Sequence, residues 1–457
     1  MAGFATSSAS TPPMPPSRSG TFSTPPTSSE EESSQISASS PEELVKATPE
    51  QKRRSKYRHV AAYHSQIRPS CLSRESNVSP SFFGFRNLMV LVLTQQVKGA
   101  IGRMKKAEDR GDDREGQEQF AFRLAWFYIA VAHTVNASLC LSVTSYAVYF
   151  YINHPGIGTL CEMHAIVVWL KNCSYAFTNR DLRHALLHPS PDNNLPKIYN
   201  SCPYPHNVTI KNLTYFWLAP TLVYQPVYPR TSHIRWNFVA KRVAEFCGLS
   251  VFMWIISAQY ASPTLLNALE KIALRDWASI TERVMKLSTI SLVIWLAGFY
   301  ALFQSFLNAL AEVIKFGDRE FYTDWWNSPS VGRYWRTWNI PVYQFMKRHI
   351  FSPLIGRGWS PFTASLTVFT FSAVLHELAV GIPTHNIIGV AFGGMMLQLP
   401  LIAVTLPLEK MSSPAGKVMG NALFWLSFCL VGQPLAALLY FFAWQAKYGS
   451  ISKVVNK

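Results

Sequence analysis

The chain has 457 residues, of which 49% are hydrophobic, 14% aromatic and only 15% charged, whereas charged side chains make up about a quarter of an ordinary soluble domain. The long blocks without charge leave no soluble basic domain, so the formal charge of +16 excludes a nucleic-acid partner as its cause. It fits Lys and Arg in cytosolic loops of a membrane protein, an anionic cytosolic ligand, or both.

The first 40 residues hold 24 Ser, Thr or Pro. They cannot bury a core, and residues 1–80 are expected to form a disordered tail. No signal-peptide core lies there, so the tail is expected to stay cytosolic. A basic cluster at 46–58, KATPEQKRRSKYR, is a solvated, orientation-setting element or a contact for anionic lipid. Beyond it, residues 81–457 alternate apolar blocks with polar connections. A membrane helix needs about 20 apolar residues. By that rule 82–102, 124–151, 157–177, 244–262, 287–311, 362–383, 385–407 and 418–445 are predicted spans, and the apolar stretch 213–225 could re-enter the bilayer. The alternative is a large soluble protein with buried helices. It would need charged faces, and 385–407 has no formal charge.

Three polar regions separate these blocks. Residues 103–123 carry both charge signs and Gly and read as a loop. Residues 178–243 are rich in Pro and Tyr and contain two glycosylation acceptor patterns, starting at Asn207 and Asn212, which count only if lumenal. The third, 315–361, interleaves Trp, Tyr and Phe with Arg and Lys throughout. It suits an amphipathic element in the interface, or a surface binding a phosphorylated ligand with an apolar part.

Inside the apolar blocks the chemistry concentrates. Between Arg357 and Glu409 the one formally charged side chain is Glu377, beside His376. Ionisable groups in a span are costly and mark functional sites, and His can take and return a proton near neutral pH. Gln304, Asn308, Gln398 and Gln433 are further polar residues in apolar runs; each alone reads as a helix–helix hydrogen bond, and together with His376 they suggest a polar chamber at mid-membrane depth. His133, His164 and His385 have no acidic neighbour and read as packing or interfacial residues. The seven cysteines show no metal-ligand or disulfide spacing, and Cys140, Cys247 and Cys429 read as packing residues. HELAV lacks the second histidine of a zinc helix, so no metal is expected.

Three stretches in order, FYTDWWN (Phe321, Tyr322, Asp324, Trp325, Trp326, Asn327), WNIPVYQFMKRHIFSPL from Trp338, and SAVLHEL with His376, resemble the acyl-CoA:sterol and acyl-CoA:diacylglycerol branch of the membrane-bound O-acyltransferases. The likeness covers roughly 120–445. NIPVYQFMKRHIFSP, GMMLQLPL and GQPL are similar to the type-1 diacylglycerol O-acyltransferases, with a fungal flavour. The segment Tyr228–Trp236 is similar to the sterol enzymes instead. The first span, VLVLTQQVKGAIGRMKKAEDRGDDREG, departs from the family pattern by its polar end.

The resemblance implies an all-α polytopic membrane protein of about 8–9 transmembrane helices enclosing an intramembrane reaction chamber. It implies an acyl-CoA:1,2-diacylglycerol O-acyltransferase, or a sterol or long-chain alcohol acyltransferase of the same fold. His376 would be the base, with Asn339 and Glu377 also catalytic and Gln398 and Gln433 in the polar chamber. Glu377 points about 100° away from His376 on an ideal helix and suits orientation better than relay. For acyl-CoA the implied residues are Trp338, Asn339, Tyr343, Arg348, His349 and Arg357. Acyl-CoA is a substrate and no cofactor is implied; membrane lipids and a second copy, in a homodimer or homotetramer, are the implied partners. The implied location is the endoplasmic reticulum membrane, with lipid droplets as the destination of the product. A lipid transporter is a reading of a different class, against which stand the lack of an internal repeat and the isolation of the His-Glu pair.

Overall fold

The computed structural model describes residues 115–187, 196–273, 276–411 and 413–448. The expected tail, its basic cluster and the span 82–102 lie outside them. The described residues are almost entirely helical and contain no β-strand, only an isolated bridge between Arg230 and Phe316. Helices α1 (Glu115–Tyr151) and α2 (Pro155–Leu187) form a hairpin. Then come α3 (Ile210–Leu218), α4 (Trp236–Ile256) and α5 (Ser262–Ala273), the last two joined by a π turn at Ser257–Ala261. Helix α6 runs over Trp277–Val313, with a π turn at Tyr300–Phe306. Short helices α7 (Val331–Thr337) and α8 (Ile340–Met346) follow, α8 continuing through a π turn at Lys347–Phe351 into Ser352–Ile355. The chain closes with α9 (Pro361–Gly381), α10 (Val390–Lys410), α11 (Pro414–Leu426), a π turn at Ser427–Gly432 and α12 (Gln433–Tyr448).

Among the described residues, α6, α9 and α10 are long and apolar enough to cross a membrane. Several boundaries differ from expectation. The loop read at 103–123 is helical from Glu115, and α2 extends ten residues past the predicted 177. The run 385–407 starts as helix only at Val390, because 382–389 makes a turn with His385 (φ 56°) and Gly389 (φ 76°) left-handed. The polar region 315–361, read as an amphipathic element or a binding surface, carries the short helices α7 and α8.

The sequence states many of these starts. Ser360 precedes Pro361 and caps α9 by accepting from the Thr363 amide at 3.1 Å. Ser413 before Pro414 caps α11, Ser330 caps α7, and Thr209 caps α3. A short hydroxyl satisfies an orphan amide, and proline at the first helical position has no amide to leave unpaired.

Three apolar clusters hold the helices. One joins Tyr175, Phe216, Tyr224, Tyr228, Phe303, Phe316 and Phe321. A second joins α2 (Ile166, Leu170) to Phe345, Met346 and Leu375, so it fixes α9 against α2 and α8. The third gathers Trp325, Val331, Tyr334 and Phe424. Phe316 and Trp325 are each 1% exposed, and rings of that size dominate the energetics of such cores.

Polar pins secure the clusters. The Lys171 ammonium of α2 donates to the carbonyls of Phe216 (2.9 Å), Trp217 (2.9 Å) and Ala219 (2.6 Å), the carbonyl end of α3. A cation there meets both the orphan carbonyls and the negative helix end. Fully buried Glu312 binds Arg235 and Arg319, tying α6 to the start of α4. Asn207, also fully buried, donates to Asn179 Oδ1 (2.7 Å) and to the Tyr224 hydroxyl (2.9 Å), which in turn donates to Asn212 Oδ1 (2.8 Å). Both sequence-predicted glycosylation asparagines are therefore structural: their amides are spent inside the fold.

Candidate active site around His376

Helix α9 carries His376 five residues before its end. The ring nitrogen Nδ1 lies 2.8 Å from the Ser372 carbonyl and 3.4 Å from the Ser372 hydroxyl. A carbonyl can only accept, so Nδ1 holds the proton and Nε2 presents a bare lone pair. Nε2 makes no hydrogen bond among the described residues. The residue keeps open surface. The helix's own turn thus sets the tautomer a base requires and leaves Nε2 without a partner among the described residues.

Glu377 does not face His376. It is 8% exposed, and its carboxylate takes three donors: the Gly389 amide at 2.9 Å, the Phe392 amide at 3.1 Å and the Tyr440 hydroxyl at 2.7 Å. Gly389 is the N-cap of α10 and has no side chain to cap it. Glu377 supplies the missing acceptor from α9, at the positive end of a helix dipole, where a carboxylate is favoured by about 0.3–2 kcal/mol. The carboxylate thus ties α9 to α10 and to Tyr440.

The motif stretches come together by backbone pairing. The Thr323 amide donates to Thr337 O (3.0 Å) and the Ile340 amide to Phe321 O (3.0 Å), so FYTDWWN lies along the α7–α8 junction. Tyr322 donates to Gln304 Oε1 at the α6 π turn (2.9 Å). Asn308 Nδ2 donates to the Gln304 carbonyl there (3.0 Å). The Trp326 carbonyl accepts from Asn421 Nδ2 (3.0 Å) and Trp425 Nε1 (3.1 Å) of α11. Asp324 pairs loosely with Arg333 at 3.8 Å, and Asn327 is exposed. Most of the motif is scaffold: Phe321 and Trp325 are core, and Trp325 sits in an aromatic nest with Trp295, Phe299, Tyr334 and Trp425.

The other predicted residues divide between pinned and open. Asn339 caps α8, its Oδ1 accepting from the Val342 amide at 3.2 Å, and its amide nitrogen has no hydrogen bond among the described residues. Gln398 is engaged at both ends, accepting from Trp335 Nε1 (3.3 Å) and donating to Gly394 O (3.1 Å). The side chain of Gln433 lies outside the described residues. Trp338 stacks on Tyr334 at 5.8 Å, inside the aromatic nest. Arg348 is buried. His349 Nε2 and the Ser174 hydroxyl are hydrogen-bonded at 2.7 Å, and the same hydroxyl accepts from the Tyr224 amide. Burial, then the charges of Arg348 and Arg180, hold His349 well below its ordinary value. Tyr343 and Arg357 keep open surface, with Lys347 over the Tyr343 ring. His385 is a packing residue as expected, its Nε2–H donating to Ile152 O at 3.0 Å. Sequence reasoning missed Ser372, Lys171, Glu312 and Tyr440. Lys171, a charge in a predicted span, was the legible one.

A family model described as MBOAT, membrane-bound O-acyltransferase family, matches residues 120–442. The chain belongs to the membrane-bound O-acyltransferase family. With the apolar helices above, membership makes it a multi-pass helical membrane protein. It is similar to diacylglycerol O-acyltransferase 1A of Glycine max, 41% identical over 284 residues, which are 62% of this chain and 56% of that one. Diacylglycerol O-acyltransferase 1 of Arabidopsis thaliana is 41% identical over 295 residues (65% and 54%), and that of Dictyostelium discoideum is 34% identical over 407 residues (82% and 64%). The chain spans between 54% and 64% of the length of these curated relatives. Within the membrane-bound O-acyltransferase match fall His376, Asn339, Gln398 and Gln433 alike.

Proposed function

We propose that the chain is an acyl-CoA:1,2-diacylglycerol O-acyltransferase that makes triacylglycerol. The observation that carries this is His376, with Nδ1–H held by the Ser372 carbonyl, Nε2 bare, and the residue exposed on an apolar helix. Nε2 takes the proton of the diacylglycerol hydroxyl as its oxygen attacks the thioester carbonyl. The tetrahedral intermediate collapses, the C–S bond breaks, and the departing CoA thiolate recovers the proton from His376. A positioned base of this kind contributes about 10²–10⁴-fold. The thioester is already activated, so no acyl-enzyme is needed, and a dry chamber limits its hydrolysis by water. An amide side chain stabilises the oxyanion, and the amide nitrogen of Asn339, without a hydrogen bond among the described residues, fits that task best. Tyr343, Lys347 and Arg357 receive acyl-CoA at the cytosolic mouth, while Trp338, Arg348 and His349 shape the site from within. The protein has about 8–9 spans, lies in the endoplasmic reticulum membrane with its N-terminal tail cytosolic, and works as a homodimer or homotetramer.

The test is transfer of labelled oleoyl from its CoA ester in microsomes of a host lacking neutral-lipid synthesis, with diacylglycerol and sterol offered in parallel. Wild type should form triacylglycerol, and His376→Ala, at equal protein level, should lose at least about 100-fold. Sterol ester in place of triacylglycerol would keep the mechanism and overturn the acceptor. Undiminished activity in His376→Ala would remove the base.

A further inference from the structure

Tyr440 lies on α12, 63 residues beyond Glu377 in the chain, and is 3% exposed. Its hydroxyl donates to Glu377 Oε2 at 2.7 Å and accepts from the Ala391 amide at 3.1 Å. The same carboxylate takes the Gly389 and Phe392 amides. Tyr440 therefore completes a closed set that joins three elements: the His376 turn of α9, the N-terminus of α10 and the middle of α12. A second tie runs in parallel, since Lys447 of α12 donates to the His385 carbonyl in the α9–α10 turn at 3.0 Å.

We propose that Tyr440 is a positioning residue for acyl transfer, acting through Glu377 to set the rotation of α9 and so the aim of His376 Nε2. The inference rests on the acyltransfer reading above. The physical reason is geometric. His376 and Glu377 are adjacent on one helix, so a rotation of α9 that lets the carboxylate seek a new donor swings the imidazole by the same angle. Glu377 is buried, so it cannot replace a lost donor with bulk water, and a buried carboxylate short of a donor moves to find another. The two backbone amides hold Glu377 to α10, and only the Tyr440 hydroxyl among the described residues holds it to α12. A base misplaced by about 1 Å can cost on the order of 100-fold in rate with little effect on binding.

The experiment uses the full chain purified in detergent and returned to lipid nanodiscs, with labelled oleoyl-CoA and diacylglycerol. Four proteins are compared: wild type, Tyr440→Phe, Glu377→Gln and the double variant. Tyr440→Phe should lower kcat about 10-fold or more while leaving KM for oleoyl-CoA within twofold, and Tyr440→Gln, which keeps a donor, should recover part of it. In the Glu377→Gln background the same change should cost little more, because both act on one contact. Thermal unfolding of each variant separates poor folding from poor positioning, and Tyr440→Gln carries the test if Tyr440→Phe does not fold. Wild-type kcat in Tyr440→Phe overturns the proposal and leaves the acyltransfer reading intact. Full additivity in the double variant also overturns it, since Tyr440 would then act elsewhere. A wild-type protein that transfers oleoyl to neither diacylglycerol nor sterol overturns the acyltransfer reading itself, and this inference with it.

Discussion

Gly420 on α11 tests the packing that holds the FYTDWWN segment. A Cβ added there would lie 2.0 Å from the Pro329 carbonyl oxygen and 3.0 Å from its carbon, with Leu408 Cβ at 3.6 Å. The oxygen is backbone, so it cannot swing away as a long side chain would, and it must retreat by about 1 Å before an ordinary contact is restored. That retreat drags residues 326–331. It stretches the Asn421 bonds to Trp326 and Ser328 carbonyls, both 3.0 Å, and the bond of the Val331 amide to Thr405 at 3.1 Å. Overpacking costs about 1–3 kcal/mol, and weakening two or three hydrogen bonds adds about 1 kcal/mol each, so Gly420→Ala should destabilise by about 3–6 kcal/mol. The control is Gly394→Ala in α10, where an added Cβ meets nothing within 4 Å and helix propensity favours Ala by about 0.5–1 kcal/mol. Thermal unfolding in one detergent should give a large drop for the first variant and no loss for the second. Equal stability of Gly420→Ala and wild type, or an equal drop in both variants, would refute the reasoning.

Asn339 separates capping from chemistry: Asn339→Ser keeps a side-chain acceptor for the α8 cap and should melt like wild type but lose activity, whereas Asn339→Ala should also lose about 1 kcal/mol of stability. Full activity in Asn339→Ser would deny the amide any part in the reaction. His349 is held neutral in the fold by burial and by Arg348 and Arg180, so the unfolded chain binds the extra proton first. Stability from this group is complete above the ordinary value of 6.5 and declines as pH falls below it, by up to about 1.4 kcal/mol per unit. Unfolding measured from pH 7 to 5 should show that slope in wild type and a flatter one in His349→Gln. Asn207 is fully buried with its amide donating twice, so glycosidase treatment should leave gel mobility unchanged, and Asn207→Ala should lower stability by about 1–3 kcal/mol.

The sequence by itself determined the helical membrane class, the family and His376. Those signals are local: hydropathy over a span, short hydroxyl caps before proline, and the cost of placing a titratable pair in an apolar run. The sequence could not say that Glu377 serves α10 and Tyr440, that Asn207 is buried and Asn212 bonded to Tyr224, or that Gly420 admits a backbone carbonyl. Each of those depends on partners from about 10 to over 90 residues away in the chain, and only packing brings such partners within reach. The region 315–361 shows the division most clearly. Its mixture of aromatic and basic residues told of an interface or a binding surface, but not that Trp325 turns inward while Arg357 stays exposed. Short helices such as α7 and α8 turn each side chain by their own few degrees of phase, and the neighbours α6, α9 and α11 decide which of those directions is covered.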